Sequence, residues 1–246
     1  MILRSITKHV RDQNWFAVGL DFLIVIIGVF IGIQVANWNE AQAERRRLDV
    51  QLASLHAEFT ENLNRFDAYR ARLQGQIEDI STLRRIIADK PFDGKEGELD
   101  RMLMNVFSVP VFSVDRTTLD ELKDGGKLIQ LRDMGLRQPL VDWEEAYVGL
   151  RRQEGDTIAM RNLVFAPFFM GHLSLGAMGE HYGPAKDLIS PSHFDNDPAM
   201  LVGNRELHNI LTFMLGLAAA RLDFLTLLRL ETEAVLARLQ TRGFAP

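Results

Sequence analysis

The feature that most constrains this chain is an apolar run near its N-terminus, from Trp15 to Trp38. Its centre, Phe22–Ile33, holds twelve apolar residues in succession. A helix that crosses ~30 Å of hydrocarbon needs roughly 20 mostly apolar residues, and Phe16–Ala36 supplies that length. Tryptophan is favoured at the level of the lipid headgroups, so Trp15 and Trp38 are the expected interfacial anchors. The run therefore predicts one transmembrane helix over residues 15–38.

A cleaved signal peptide is the alternative interpretation of this run. The apolar segment is long, however, and no small-x-small cleavage site follows it. The chain continues directly into the polar sequence WNEAQAERRR. We therefore expect the segment to be retained as a membrane anchor.

Composition bounds the rest of the chain. Charged residues make up 25% and hydrophobic residues 47% of the 246 residues, which predicts a folded domain after the anchor. The formal net charge of −5 argues against nucleic acid as a partner, because nucleic-acid binders carry a basic face. There is no cysteine, which excludes disulfides, thiolate metal sites and cysteine nucleophiles.

A short basic tail, residues 1–14, precedes the span and predicts an amphipathic helix on an anionic leaflet. The Lys/Arg bias on the two sides of the span is nearly equal, so it orients the chain only weakly. Because the basic tail lies closer to the membrane and a long domain follows the anchor, we expect a cytoplasmic N-terminus and a periplasmic domain in a bacterial inner membrane. The residues expected to contact lipid headgroups are Arg4, Lys8, Arg11, Arg45, Arg46 and Arg47.

Small residues mark one face of the predicted span. Gly28, Gly32 and Ala36 lie four residues apart, a spacing that lets two membrane helices approach closely. Asp21 falls near the same face. An acid within a membrane is a functional candidate by default, but Asp21 lies near the headgroups if the true span is Phe22–Trp38. The interfacial position is favoured, and both interpretations remain open.

After the span, residues 39–90 predict one long helix or stalk, because apolar residues recur every three or four positions without a proline before Pro91. Residues 91–246 predict the remainder of a helical bundle. The fold class is therefore all-α, with the transmembrane helix continuing into the long helix. The polar residues between the apolar positions are expected on solvated faces. The apolar positions are Leu48, Leu52, Leu55, Phe59, Leu63, Phe66, Tyr69, Leu73, Ile77, Ile80, Leu83 and Ile87.

Capping residues place two later helices. Thr118 with Glu121 predicts a capping box at the start of a short helix. Asn204 is the expected N-cap of a final helix that runs to about Arg242. Charged residues within that final helix argue against a second membrane span; they are Arg221, Asp223 and Arg229.

No motif for catalysis, phosphate binding or a metal appears in the sequence. His181 and His193 flank a loop with Asp195, Asn196 and Asp197, but a solvated turn is favoured there over a cation or ligand site. Glu144 and Glu145 are adjacent on a helix and are expected to be solvated. We therefore predict no catalytic residue, no metal and no cofactor.

Two stretches resemble a family of uncharacterised, single-pass bacterial inner-membrane proteins. In that family the span ends in a Gln-x-x-Asn-Trp-Asn-Glu-like signature, which is carried here by Gln34, Asn37, Trp38, Asn39 and Glu40. The central stretch TTLDELKDGGKLIQLRDMGLRQPLVDWEEAY is similar to the same family. The resemblance implies the anchored architecture and supplies no activity.

The first functional hypothesis is a non-enzymatic, membrane-anchored scaffold or accessory subunit. It would self-associate through its span and form a homo-oligomer or join a larger membrane complex. One alternative is a stator-like subunit of an ion-driven membrane complex that uses Asp21. Another is a membrane-anchored, ligand-sensing helical bundle that uses the Glu180–Asn204 loop, and an enzyme comes last.

Overall fold

In a computed structural model, the structure describes residues 15–88, 92–95, 97–127, 131, 135–181, 187–190 and 192–243. These residues form helices and contain no strand, which confirms the all-α prediction within the described part of the chain. Contacts divide the chain into two units that meet between Leu52 and Ala53.

The helices of the fold are numbered here in chain order. They are α1 (Trp15–Ile87), α2 (Glu98–Phe107), α3 (Thr117–Asp124), α4 (Arg137–Met160), α5 (Ala166–His172), α6 (Leu175–His181) and α7 (Arg205–Gln240). A π-helical turn, Arg161–Phe165, joins α4 to α5, and a 3₁₀ turn, Pro198–Met200, precedes α7.

The long helix α1 forms without a break through Gly75, as the apolar spacing predicts. Of the twelve predicted seam positions, all are buried except Leu63 and Ile77, which are half-buried. The prediction that the intervening polar residues are solvated is wrong at several positions. The buried polar residues of α1 are His56, Glu58, Asn62, Gln76 and Asp79.

The core of the second unit has two regions. One gathers the end of α1 with α2, α5 and the start of α7, and Phe165, Phe169 and Leu207 are fully buried in it. The other lies around Trp143 of α4, whose ring centroid is 5.1 Å from that of Phe59. The Trp143 Nε1 donates to Thr232 Oγ1 of α7 at 2.9 Å, so the buried indole N–H is satisfied where α4 and α7 pack.

The predicted cap of α7 is confirmed, and the predicted capping box of α3 is wrong. Asn204 accepts a hydrogen bond from the Leu207 N–H at 2.9 Å, and α7 ends at Gln240. At α3, the Thr118 N–H donates to Glu58 of α1 and the Thr117 N–H donates to Asp115. Partners from outside the Thr118–Glu121 pair therefore satisfy the first turn.

Candidate functional site

In the first unit, the candidate site is the exposed apolar surface of α1. None of its most apolar 18-residue window is buried, and the mean hydropathy of that window is 2.3. Phe22 and Phe30 expose 67% and 59% of their surface. The residues proposed for helix association, Gly28, Gly32 and Ala36, are exposed, as is Asp21. A Cβ built on Gly28 or Gly32 meets no atom within 4 Å, so this face is open to a partner.

The predicted headgroup residues are only partly within the described chain. Trp38 is 65% exposed, and Arg45, Arg46 and Arg47 are exposed. Arg47 pairs with Glu44 at 3.8 Å. Arg4, Lys8, Arg11 and the side chain of Trp15 lie outside the described residues.

A second helix is also long and apolar enough to cross a membrane. It is α7, whose best window has a mean hydropathy of 1.7 and is 33% buried. Its buried stripe, which includes Leu211, Leu225 and Leu228, packs in the core of the second unit. The core helix of a soluble domain has the same properties, so α7 is explained without a bilayer.

In the second unit, buried polar side chains converge on the segment that joins α2 to α3, residues 108–116, which we name the strap. Ser108 begins it with φ −70° and ψ 147°. Phe112 in its middle is buried, whereas Val111 and Ser113 on either side are exposed. The strap is neither helix nor strand, and no strand pairs with it among the described residues.

Side chains of α1 take the place of a neighbouring strand. Gln76 Nε2 donates to the Ser108 carbonyl oxygen at 2.8 Å and to the Asn105 carbonyl oxygen at 2.9 Å. Asn62 bonds both backbone groups of Asp115, donating to its oxygen at 2.7 Å and accepting from its N–H at 2.9 Å. Because an unpaired buried backbone group is costly, these amides stabilise the strap against α1.

Glu154 of α4 is the centre of the cluster and is 1% exposed. Its Oε1 accepts from the Phe112 N–H at 2.6 Å and from the Tyr69 hydroxyl at 2.8 Å. Its Oε2 accepts from Arg151 Nη1 at 2.6 Å. Burial, and then the negative charge of Glu154, raise the pKa of Tyr69, so the tyrosine stays a hydrogen-bond donor.

Arg221 of α7 also belongs to the cluster and is 1% exposed. Its Nη2 donates to Gln76 Oε1 at 2.7 Å, and its Nη1 lies 3.5 Å from the Pro110 carbonyl oxygen. Burial lowers the pKa of Arg221, and the nearby Tyr69 and Glu154 act in the opposite direction. Arg221 thus fixes Gln76, which in turn holds the strap.

Glu58 of α1 lies at the other end of the strap and is 8% exposed. Its Oε2 accepts from the Thr118 N–H at 2.6 Å, whereas its Oε1 is buried without a partner. Burial raises the pKa of Glu58, and the Asp115 carboxylate adds to that shift. Hydrogen bonds from Thr117 lower the pKa of Asp115. The pKa values of the two carboxyl groups at the start of α3, Glu58 and Asp115, therefore shift in opposite directions.

Ion pairs join α3 to α4 beside the strap. Arg116 contacts Asp120 at 2.7 Å and Glu144 at 3.2 Å, and Lys123 also pairs with Glu144. The hydrogen bond from Lys123 is the largest cause of the lowered pKa of Glu144. Glu144 is thus half-buried and ion-paired, so the expectation that it is solvated holds only in part, whereas Glu145 is exposed as expected.

The loop with Asp195, Asn196 and Asp197 packs against α2 and the residue that precedes α6. Asn196 donates to Asp100 Oδ1 at 2.6 Å and accepts from the Ser174 N–H at 2.7 Å. Asp197 caps the 3₁₀ turn by accepting from the Ala199 N–H at 2.8 Å. No group of three metal-ligating side chains occurs among the residues that the structure describes. His193 is exposed, and the side chain of His181 lies outside the described residues.

Sequence reasoning missed the strap cluster, although one signal was present. Asn62, Tyr69 and Gln76 recur every seven residues, so they lie in one row on α1. Polar residues repeated at that interval beside an apolar seam indicate a buried polar row. Glu154 and Arg221, by contrast, resemble ordinary charged positions of helices α4 and α7 in the sequence.

No protein-family model, curated protein or solved structure matches this chain. The resemblance to single-pass bacterial membrane proteins therefore stays a prediction.

Proposed function

We propose that this chain is a membrane-anchored helical scaffold that self-associates through its single span. One observation carries the proposal. The helix α1 has an apolar window with no buried residue in the first unit, and it continues without interruption into the buried core of the second. A soluble protein rarely exposes so large an apolar surface, whereas a bilayer accommodates it.

The membrane we propose is a bacterial inner membrane, with the N-terminus in the cytoplasm and the helical domain in the periplasm. The family resemblance supports the membrane, and the long domain after the span supports the orientation. Membrane lipid is then one partner, and further copies of the chain or subunits of a larger complex are the other.

Self-association rests on the open face of the span. Lipid tails are as apolar as leucine, so helices associate in a bilayer mainly by close packing at small residues. Gly28 and Gly32 leave room for a second backbone, and Ala36 extends the row.

The non-enzymatic character of the proposal is supported by how the buried acid is used. Glu154, the most buried carboxylate of the cluster, accepts from Tyr69, Phe112 and Arg151. These hydrogen bonds join Glu154 to the backbone and side chains of its own domain, as expected of a residue with a structural role.

The native mass of the detergent-solubilised full-length protein tests the proposal. Gly32→Ile should reduce a discrete oligomer to monomers, because the added side chain separates the helices. Gly19→Ile is the matched control, since Gly19 is nine residues from Gly28 and lies on the opposite face at about 100° per residue. A monomeric parent, or a Gly32→Ile variant with the parent's mass, would contradict the proposal.

A further inference from the structure

The π-helical turn Arg161–Phe165, which joins α4 to α5, is followed directly by Ala166 and Pro167. Proline has no N–H to donate to the carbonyl four residues before it, here that of Leu163, and its ring crowds that carbonyl. A wider turn relieves the crowding, and the Ala166 N–H donates to the Arg161 carbonyl oxygen, five residues before it. Such π turns within helices are frequent at functional sites.

The side chains of the π turn are unequally buried. Phe165 is fully buried, whereas Leu163 is 75% and Val164 is 39% exposed. In α7, Phe213 is 51% exposed although Ile210, one turn before it, is buried. Large apolar side chains thus remain at the surface of both elements.

A groove of about 450 Å³ lies between the π turn and the start of α7, and we name it the α7 groove. Small-molecule sites have volumes of roughly 300–1,000 Å³ and mostly apolar linings with a few polar groups. The α7 groove has both properties. Its apolar lining residues are the buried Phe165 and Ile210 and the more exposed Met160, Val164 and Phe213.

The polar side of the groove includes a cation that the fold does not use. Arg205 is the first residue of α7, where the helix dipole disfavours a positive charge. Its side chain is exposed and has no ion pair or hydrogen bond among the described residues. The stability of α7 therefore does not explain Arg205, whereas an anion in the groove does.

The other two polar residues of the groove are Glu206 and Asn209. A carboxylate in the first turn of a helix is favoured by the helix dipole, so α7 itself accounts for Glu206. Asn209 is exposed and offers a neutral amide as a second hydrogen-bonding group. Arg205 is thus the one charged residue of the lining that calls for a ligand.

The size of the groove selects a narrow occupant. A helix about 10 Å in diameter that rises about 5.4 Å per turn fills roughly 420 Å³ in each turn. The groove therefore accommodates about one helical turn, whereas amphipathic helices bind through anchors that extend over two turns. A stable protein interface also needs about 800 Å² from each partner. A single alkyl chain has neither requirement.

We propose that the α7 groove binds a single-chain amphiphile with an anionic headgroup, such as a fatty-acid carboxylate. The alkyl chain lies against Val164, Ile210 and Phe213. Arg205 pairs with the headgroup, and a guanidinium can bind a carboxylate through two parallel N–H···O bonds. The site lies within the helical domain and does not require association of the span, so it goes beyond the scaffold function.

Photolabelling of full-length protein in lipid nanodiscs tests the site. The probe is dodecanoic acid with a diazirine near the end of its chain, and mass spectrometry maps the labelled peptides. We expect label on residues 160–165 and 205–213. Unlabelled dodecanoate should compete, whereas dodecyltrimethylammonium, with its cationic headgroup, should not. Each methylene removed from the competitor should weaken it about two- to fourfold, because less apolar area is buried.

Substitutions of exposed residues separate the charge from the groove. Arg205→Gln should lower labelling of the groove several-fold, Arg205→Lys should restore most of it, and Glu206→Gln should not lower it. Asn209→Trp should abolish labelling, because the indole fills the groove. Ala219→Trp is the matched control, since Ala219 is exposed on α7 and does not line the groove. The melting temperature should be unchanged in all of these variants.

Several results would overturn the proposal. They are label on the groove peptides no higher than on residues 137–147 of α4, equal competition by the cationic amphiphile, or labelling unchanged by Asn209→Trp or Arg205→Gln. A groove that is covered by a second copy would be labelled only in the Gly32→Ile variant, which also contradicts the proposal. Label on residues 15–38 reports the span separately. Its absence would contradict the membrane anchor and leave the result for the groove intact.

Discussion

Residues 20–38 and residues 55–87 belong to the same helix, yet only the second stretch buries side chains. The centre of the first stretch, Phe22–Ile33, is apolar around its whole circumference. The second alternates an apolar seam with polar residues, of which several are buried and two, Asn62 and Gln76, are bonded to the strap. Uniform apolarity indicates a helix whose partner is lipid, whereas periodic apolarity indicates a helix whose partner is its own domain.

The difference also concerns what a polar residue does. In the second stretch, Asn62 and Gln76 replace a neighbouring strand for the backbone of the strap. In the first, Asp21 is exposed and near one end of the apolar run. A buried polar residue with partners specifies one arrangement of the domain, and an exposed one does not.

The largest expected effect contrasts two phenylalanines of α1. Phe66→Ala should lower the free energy of unfolding of the helical domain by about 3–5 kcal/mol, because Phe66 is 1% exposed in a packed core. Phe22→Ala, at 67% exposure, should change it by less than about 0.5 kcal/mol. Denaturant titration of full-length protein in detergent, followed by Trp143 fluorescence with Trp15 and Trp38 changed to Phe, measures both. Equal changes in the free energy of unfolding for the two variants would contradict the difference between the two stretches of α1.

The next prediction concerns the buried acid of the strap cluster. Glu154→Ala should cost about 2–4 kcal/mol, since it leaves the Phe112 N–H without its acceptor and leaves the Tyr69 hydroxyl only the Pro110 carbonyl oxygen at 3.1 Å. Glu145→Ala on the same helix is the control and should have little effect, because Glu145 is exposed. Denaturant titration followed by Trp143 fluorescence measures the free energy of unfolding of both variants. Similar values for the two variants would show that the strap does not depend on Glu154.

The pH dependence of the melting temperature distinguishes buried acids of α1 from exposed ones. Burial raises the pKa of Glu58 above its ordinary value of 4.5, so the folded domain binds this proton more tightly than the unfolded chain does. The free energy of unfolding then falls as the pH rises above about 4.5. Glu58→Gln removes the ionisable group and with it this loss of stability. The variant should therefore have a higher melting temperature than the parent near neutral pH. The difference in melting temperature should vanish at lower pH.

The control for that prediction is Glu61→Gln, one turn further along α1, where the side chain is exposed. It should leave the pH profile of the melting temperature unchanged. A Glu58→Gln profile parallel to that of the parent would remove Glu58 as the source of the dependence.

The smallest expected effect is at Asp21. If this acid lies at the headgroups, Asp21→Asn should alter neither the native mass of the oligomer nor the melting temperature of the domain. An ion-coupling role predicts instead that the variant assembles normally and loses ion flux in the complete complex. Proton uptake by vesicles that contain that complex distinguishes the two.

The helices could be predicted from the sequence better than the contacts between them. The apolar period of α1 and the Asn204 cap depend on local spacing, and both predictions are confirmed. The cap of α3 depends on Glu58, sixty residues away in sequence, so a local capping rule chose the wrong partner. The pairing of Glu154 with Tyr69 spans 85 positions and likewise has no local signal.

Cysteine labelling in intact vesicles tests whether α1, and not α7, lies in the membrane. Single cysteines at Val25 and Phe30 of α1 are compared with single cysteines at Phe213 and Leu227 of α7, using a membrane-impermeant maleimide. All four positions are exposed in the described structure. We predict no labelling at Val25 and Phe30, and labelling of Phe213 and Leu227 from one side of the membrane only. Labelling at Val25 and Phe30, or protection of the α7 positions from both sides, would contradict it.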